Sequence, residues 1–166
     1  MTLIVFSQRI MTMTARHYTR TLTTSATPDQ AYDALTTGFA AWWTQPDHAI
    51  TRPGDRARFS FPPQHSYWTF EAQHLIPGER VELLCVDAFH VHDGQTDAIE
   101  QEWLGSRLIW TLRPVEAGCE IHFIHEGLQP DLHCWDVCEA GWDRFFVASL
   151  KAYLDTGKGM PHRASA

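Results

Sequence analysis

Long apolar runs are missing from this 166-residue chain. The longest near the start, Leu3 to Phe6, is far too short for a membrane-spanning helix or a secretion signal, and no small-residue cleavage site follows it. A cytoplasmic protein is the expectation. Basic residues are scarce, with 13 Lys and Arg against 20 Asp and Glu, and the formal charge of -7 repels phosphate backbones and anionic lipid. Neither nucleic acid nor a membrane is therefore expected as a partner. Ten histidines would draw that charge toward zero in mild acid, near pH ~6.5. The four cysteines, Cys85, Cys119, Cys134 and Cys138, lack the paired spacing of a disulfide or zinc framework and suit small buried residues in a reducing compartment. Also missing are a Gly-rich phosphate loop, a GxSxG elbow, a GxGxxG turn and an HExxH helix, which removes most support for nucleotide-dependent and common hydrolytic chemistry. No cofactor and no metal are expected.

What is present in excess is aromatic. Nine Phe, seven Trp and four Tyr are a heavy load for a chain whose length fits one domain. Each ring buries a large area, and each indole N–H wants a partner, so the surplus signals either a bulky core or the wall of an apolar cavity.

The order of elements is legible. From His17 the chain reads His-Tyr-Thr-Arg-Thr-Leu-Thr-Thr, a β-branched, alternating strand. Thr27-Pro28-Asp29-Gln30 is a capping box opening a short helix to about Thr36, and Phe39 to Trp43 forms a second short helical piece after Gly38. Turn signals then separate strands over 56–61, 67–75, 80–86, 106–113 and 119–125. Period-two alternation assigns one face to Ala57, Phe59 and Phe61, then to Trp68, Phe70, Ala72 and His74, to Val81, Leu83 and Cys85, to Leu108, Trp110 and Leu112, and to Ile121, Phe123 and His125. Phe89 to Gln101 breaks the pattern and reads as a long loop. From about Asp131 to Asp155 the spacing of Leu132, Trp135, Cys138, Trp142, Phe145, Phe146, Leu150 and Tyr153 predicts one long amphipathic helix, stopped by Gly157, Gly159 and Pro161. Residues 1–15 are read as an extension, a loose arm or a misassigned start, residues 16–161 as a single domain and residues 162–166 as a tail.

These residues resemble a known family. The element order is similar to the START-like, or helix-grip, superfamily that includes the birch-pollen-allergen type and polyketide cyclases. Within it, Cys119-Glu-Ile-His-Phe-Ile-His125-Glu126-Gly127-Leu128, Gly141-Trp142 and Ser149 to Leu154 are similar to the last strand and terminal helix of the branch named for the activator of the heat-shock protein 90 ATPase. Ala26 to Leu35 resembles that branch's first helix. The resemblance implies an α+β fold in which a curved antiparallel sheet wraps around a long C-terminal helix, with two short helices between the first two strands. It also implies a largely apolar pocket under that helix for a small hydrophobic molecule. The expected lining is Trp43, Phe59, Phe70, Trp110, Phe123, His125, Trp142 and Phe146.

Three functions stay open on this reading: binding of a small hydrophobic ligand, cofactor-independent cyclisation, dehydration or hydrolysis in the same pocket, and activation of a chaperone ATPase. The eukaryotic co-chaperone carries an additional amino-terminal domain where this chain has about 15 residues, which ranks the last reading third. A homodimer is compatible with all three. His125, beside Ile121 and Phe123, is the candidate acid–base residue, against the plainer reading of a hydrogen-bonded histidine at a strand end. Cys134 and Cys138 lie one helical turn apart with His133 adjacent and His122 and His125 upstream, and His90 and His92 share a face near Asp87 and Asp93. Each set has some ligand character for a metal, yet packing and a solvated loop respectively account for them more simply.

Overall fold

The computed structural model describes residues 16–163, so the expected N-terminal extension lies outside the described residues. Strand β1 (Tyr18–Thr24) leads into helix α1 (Pro28–Ala34). The capping box forms as its sequence demands: the Thr27 side chain accepts from Gln30 N–H at 3.1 Å, and Gln30 returns a carbonyl to Thr27 N–H at 2.9 Å. Satisfying two orphan amide donors in this way contributes on the order of 1 kcal/mol. A single 3-10 turn follows (Phe39–Ala41). Strands β2 (Arg56–Ser60), β3 (Tyr67–Ile76), β4 (Arg80–Phe89), β5 (Arg107–Val115) and β6 (Gly118–Glu126) complete an antiparallel sheet in the order β1-β6-β5-β4-β3-β2.

Alternation places the faces correctly except in β3. Register shifts fall between Thr69 and Phe70 and between Ala72 and His74. Such bulges insert an unpaired residue and bend the strand. The second one reverses the parity, so His74 is exposed while Leu75 packs on the core. An alternation rule carried past a bulge assigns the wrong face, and His74 is the residue misassigned.

The long helix also departs from expectation. Residues 131–134 form turns, and α2 begins at Trp135 (Trp135–Trp142). A π-helical stretch (Asp143–Leu150) and then α3 (Lys151–Thr156) continue it without a break. Its start is set from elsewhere in the chain: the Glu102 carboxylate accepts from His133 N–H at 2.9 Å and Cys134 N–H at 2.8 Å. A negative charge there satisfies free amides at the positive end of the helix. Polar clamps fasten the helix to β1, with Tyr18 Oη donating to Asp143 at 2.7 Å and Thr24 Oγ1 to Asp155 at 2.6 Å.

The chain does not stop packing at residue 161. Met160 N–H donates to Ser149 Oγ at 2.8 Å and His162 N–H to the Trp43 carbonyl at 2.7 Å. Gly159 makes this docking feasible, because a Cβ there would lie 2.3 Å from the Ala41 carbonyl oxygen.

Candidate functional site

Over the middle of the sheet the two aromatic layers meet. Phe123 on β6 stacks on Trp110 of β5 at 4.8 Å between centroids, and also contacts Trp142 at 4.8 Å and Phe146 at 5.0 Å. Trp43 stacks on Phe59 at 4.6 Å and approaches Trp142 at 5.0 Å. These buried rings contact one another as in a packed interior and leave the sheet-to-helix space there occupied by side chains. Toward the other end of the sheet the layers separate, leaving a cavity of about 640 Å³. Its aromatic wall is Trp43, Phe61, Trp68, Trp103, Trp142 and Phe145, and exposed Gln64, His92, Asp136 and Arg144 stand among its other lining residues.

Of the eight lining residues expected from the sequence, Trp43 and Trp142 line this cavity. Phe59, Phe70, Trp110, Phe123, His125 and Phe146 are fully buried and stand outside its wall. Sequence reasoning missed Trp103, which follows the irregular Phe89 to Gln101 stretch where no periodicity could flag it. Trp103 stacks on Trp68 at 4.4 Å and lies nearly parallel to Trp142 at 5.8 Å, so three elements contribute to one aromatic stack.

His125 sits behind this stack with its ring edge-on to Trp103 at 4.5 Å. Its Nδ1 accepts from Trp142 Nε1–H at 2.9 Å. The Ser106 hydroxyl donates to the Trp103 carbonyl at 2.6 Å and therefore accepts from His125 Nε2–H at 2.8 Å. Both ring nitrogens are satisfied only in the neutral Nε2–H form. Complete burial holds the imidazolium pKa down to about 3. The arrangement positions Trp103 and Trp142 at the wall.

His90, expected in a solvated loop, is 5% exposed and lines the cavity at the end of β4. Its Nδ1 is buried without a hydrogen-bond partner among the described residues, and burial holds its pKa down to about 4. A ring nitrogen of His90 and the sulfurs of Cys134 and Cys138 all lie within 4.8 Å of one another. Trp103 Nε1–H donates to Cys138 Sγ at 3.3 Å. Burial beside Cys134 pushes the Cys138 thiol pKa far up. The sequence held these residues in two separate motifs 44 positions apart, and only the fold joins them.

An open curved sheet closed by a long C-terminal helix, with a cavity between them, defines a helix-grip domain. The profile of the family described as activator of Hsp90 ATPase homolog 1-like protein matches residues 25–155, and the chain belongs to that family. Among solved structures it is similar to the Aha1 dimer of Colwellia psychrerythraea, with 24% identity, a TM-score of 0.68 and coverage of 87% of this chain and 99% of that one. A protein of Mesorhizobium loti is 21% identical at a TM-score of 0.64, covering 80% of this chain and 92% of its own. DynU16, a putative protein of the dynemicin biosynthetic locus, gives 21% identity and a TM-score of 0.64 over 85% of this chain and 48% of that one. No protein of curated function matches. Among the described residues no helix is long and apolar enough to cross a membrane.

Proposed function

We propose that the protein binds a small, largely apolar molecule with a flat ring system in the cavity between the sheet and the terminal helix. The observation that carries this reading is the aromatic stack of Trp68, Trp103 and Trp142 facing open volume. A cavity of about 640 Å³ falls in the size range of small-molecule sites, roughly 300–1,000 Å³. Trp68 lines the cavity with its ring, and its Nε1–H is buried without a hydrogen-bond partner among the described residues. The enzymatic alternative with His125 as the acid–base group gains no support from a ring enclosed behind Trp103 and Trp142 with both nitrogens engaged.

Gly141 offers the test. It lines the cavity from α2, and a Cβ built on it meets nothing within 4 Å. Replacing glycine within a helix gains roughly up to 1 kcal/mol of helix propensity, so Gly141→Leu should fill the cavity and keep the fold. Wild-type protein titrated with bicyclic and tricyclic aromatic compounds is expected to show a tryptophan-fluorescence change and a raised melting temperature, both lost in Gly141→Leu. A wild-type protein giving neither response with any of them overturns the reading. Homodimerisation belongs to the same proposal, supported by the dimer described for the Colwellia structure. Light scattering should return twice the chain mass of 19.0 kDa, and the monomer mass removes it.

A further inference from the structure

We propose that His90, Cys134 and Cys138 form a zinc site in the wall of the cavity, with the ion's fourth position open to the cavity. Three donors from two distant parts of the chain, the end of β4 and the start of α2, converge within 4.8 Å. Zinc holds sulfur at about 2.3 Å and imidazole nitrogen at about 2.0–2.1 Å, so tetrahedral donors stand roughly 3.5–3.8 Å apart. A contraction of at most about 1.3 Å from the observed spread reaches that geometry.

Three features of the surroundings suit an ion better than a packed dithiol. The first is the buried His90 imidazole, whose Nδ1 has no hydrogen-bond partner among the described residues and one of whose ring nitrogens lies within 4.8 Å of both sulfurs. The second is the Trp103 indole N–H directed at Cys138 Sγ, a donor that strengthens toward a thiolate. The third is the Glu102 carboxylate, which fixes the Cys134 backbone through its N–H as outer-shell groups fix metal ligands. Two thiolates also neutralise a divalent cation, so the loaded site adds no net charge to the interior. Loading replaces the two S–H bonds with S–Zn bonds and releases two protons to solvent. His90 and Cys138 line the cavity and Cys134 does not, which directs the remaining coordination position into the cavity. Water or a donor atom of the bound molecule would occupy it, the arrangement of zinc sites with three protein ligands. Two thiolates and an imidazole favour zinc over magnesium or calcium, which prefer oxygen.

The sequence alone argues against a metal because C-x3-C lacks a second cysteine pair. A histidine 44 residues upstream takes the place of that pair. The site does not depend on the cavity holding an organic ligand, and the two readings fail separately.

The test uses untagged full-length protein stripped with chelator, then loaded with Zn2+ or Co2+ and desalted. One ion per chain is expected. The cobalt form should show thiolate-to-metal charge transfer in the near ultraviolet and intense visible bands of tetrahedral Co2+. Cys138→Ser and His90→Ala should each weaken binding beyond the roughly 10–100-fold that loss of an outer partner costs. His48→Ala, at an exposed histidine, should leave it unchanged. Wild-type protein that retains no ion, or cobalt bands that persist in both ligand variants, would overturn the site. X-ray absorption on zinc-loaded wild-type protein decides the matter even where the variants do not fold. Two sulfurs in the first shell support the assignment, and a shell of nitrogen and oxygen alone refutes it.

Discussion

Acid is expected to begin destabilising this protein well above the pH at which its carboxylates protonate. His125 is neutral in the folded state, with a pKa of about 3 against an ordinary value of 6.5. Between those values the unfolded chain binds a proton that the folded chain refuses. Stability therefore rises with pH through this window, is fully present above about 6.5 and is lost progressively as pH falls toward 3. One such group changes stability by about 1.4 kcal/mol per pH unit, or on the order of 3 kcal/mol between pH 6.5 and 4.5. In metal-free protein His90, held to about 4, adds to the loss in the same direction. Asp155, held near 2 by Thr24 and Lys151, contributes only below the usual carboxylate range. Urea denaturation in the presence of chelator at pH 7.5, 5.5 and 4.5 measures the slope. His125→Leu should lower stability at pH 7.5, because it leaves Trp142 Nε1–H without an acceptor, and should make the dependence between pH 6.5 and 4.5 distinctly shallower. Equal slopes in the two proteins would mean that the His125 ring takes up a proton without unfolding.

Trp142 is the residue whose loss should cost most. It is 2% exposed, touches Trp43, Trp103 and Phe123, and donates to His125. Core, cavity wall and buried histidine therefore meet on one side chain. Trp142→Ala is expected to destabilise by about 3–5 kcal/mol through the cavity it leaves, with a further increment of roughly 1–3 kcal/mol for the unpaired His125 nitrogen. Trp142→Phe keeps most of the volume and isolates the hydrogen bond, so its cost should fall near that smaller increment. Denaturant midpoints at pH 7.5 check both. Equal and small losses in the two variants would show that neighbouring rings close over the vacancy.

The difference between what was and was not legible in the sequence has a physical basis. Local rules worked where neighbouring residues determine conformation: the capping box at Thr27, the alternation of Ala57 with Phe59 and of Ile121 with Phe123, and the apolar spacing from Trp135 onward. They failed where a distant group intervenes. Glu102 sets the helix start from 31 and 32 residues away, at His133 and Cys134, and the bulge before His74 turns that side chain outward. Trp103 and His90 lie in or beside the one stretch without a period, so their burial depends on packing from other elements. The aromatic surplus did identify an interior of stacked rings. Alternation could not reveal that the layers touch over Phe123 and part near Trp68, because period fixes a face and says nothing of the distance to what lies opposite.

The returning C-terminal segment bears on how the protein is handled. His162 Nε2–H donates to the Pro62 carbonyl at 2.6 Å, and the ring packs on Phe61 at 5.1 Å and itself lines the cavity. Any sequence fused after Ala166 begins five residues beyond His162. A polyhistidine purification handle attached there would hold a string of imidazoles at high local concentration beside His90, Cys134 and Cys138. It would also lie close enough to compete for the cavity. Affinity handles for measurements on this protein belong at the other end of the chain, with a cleavage site between.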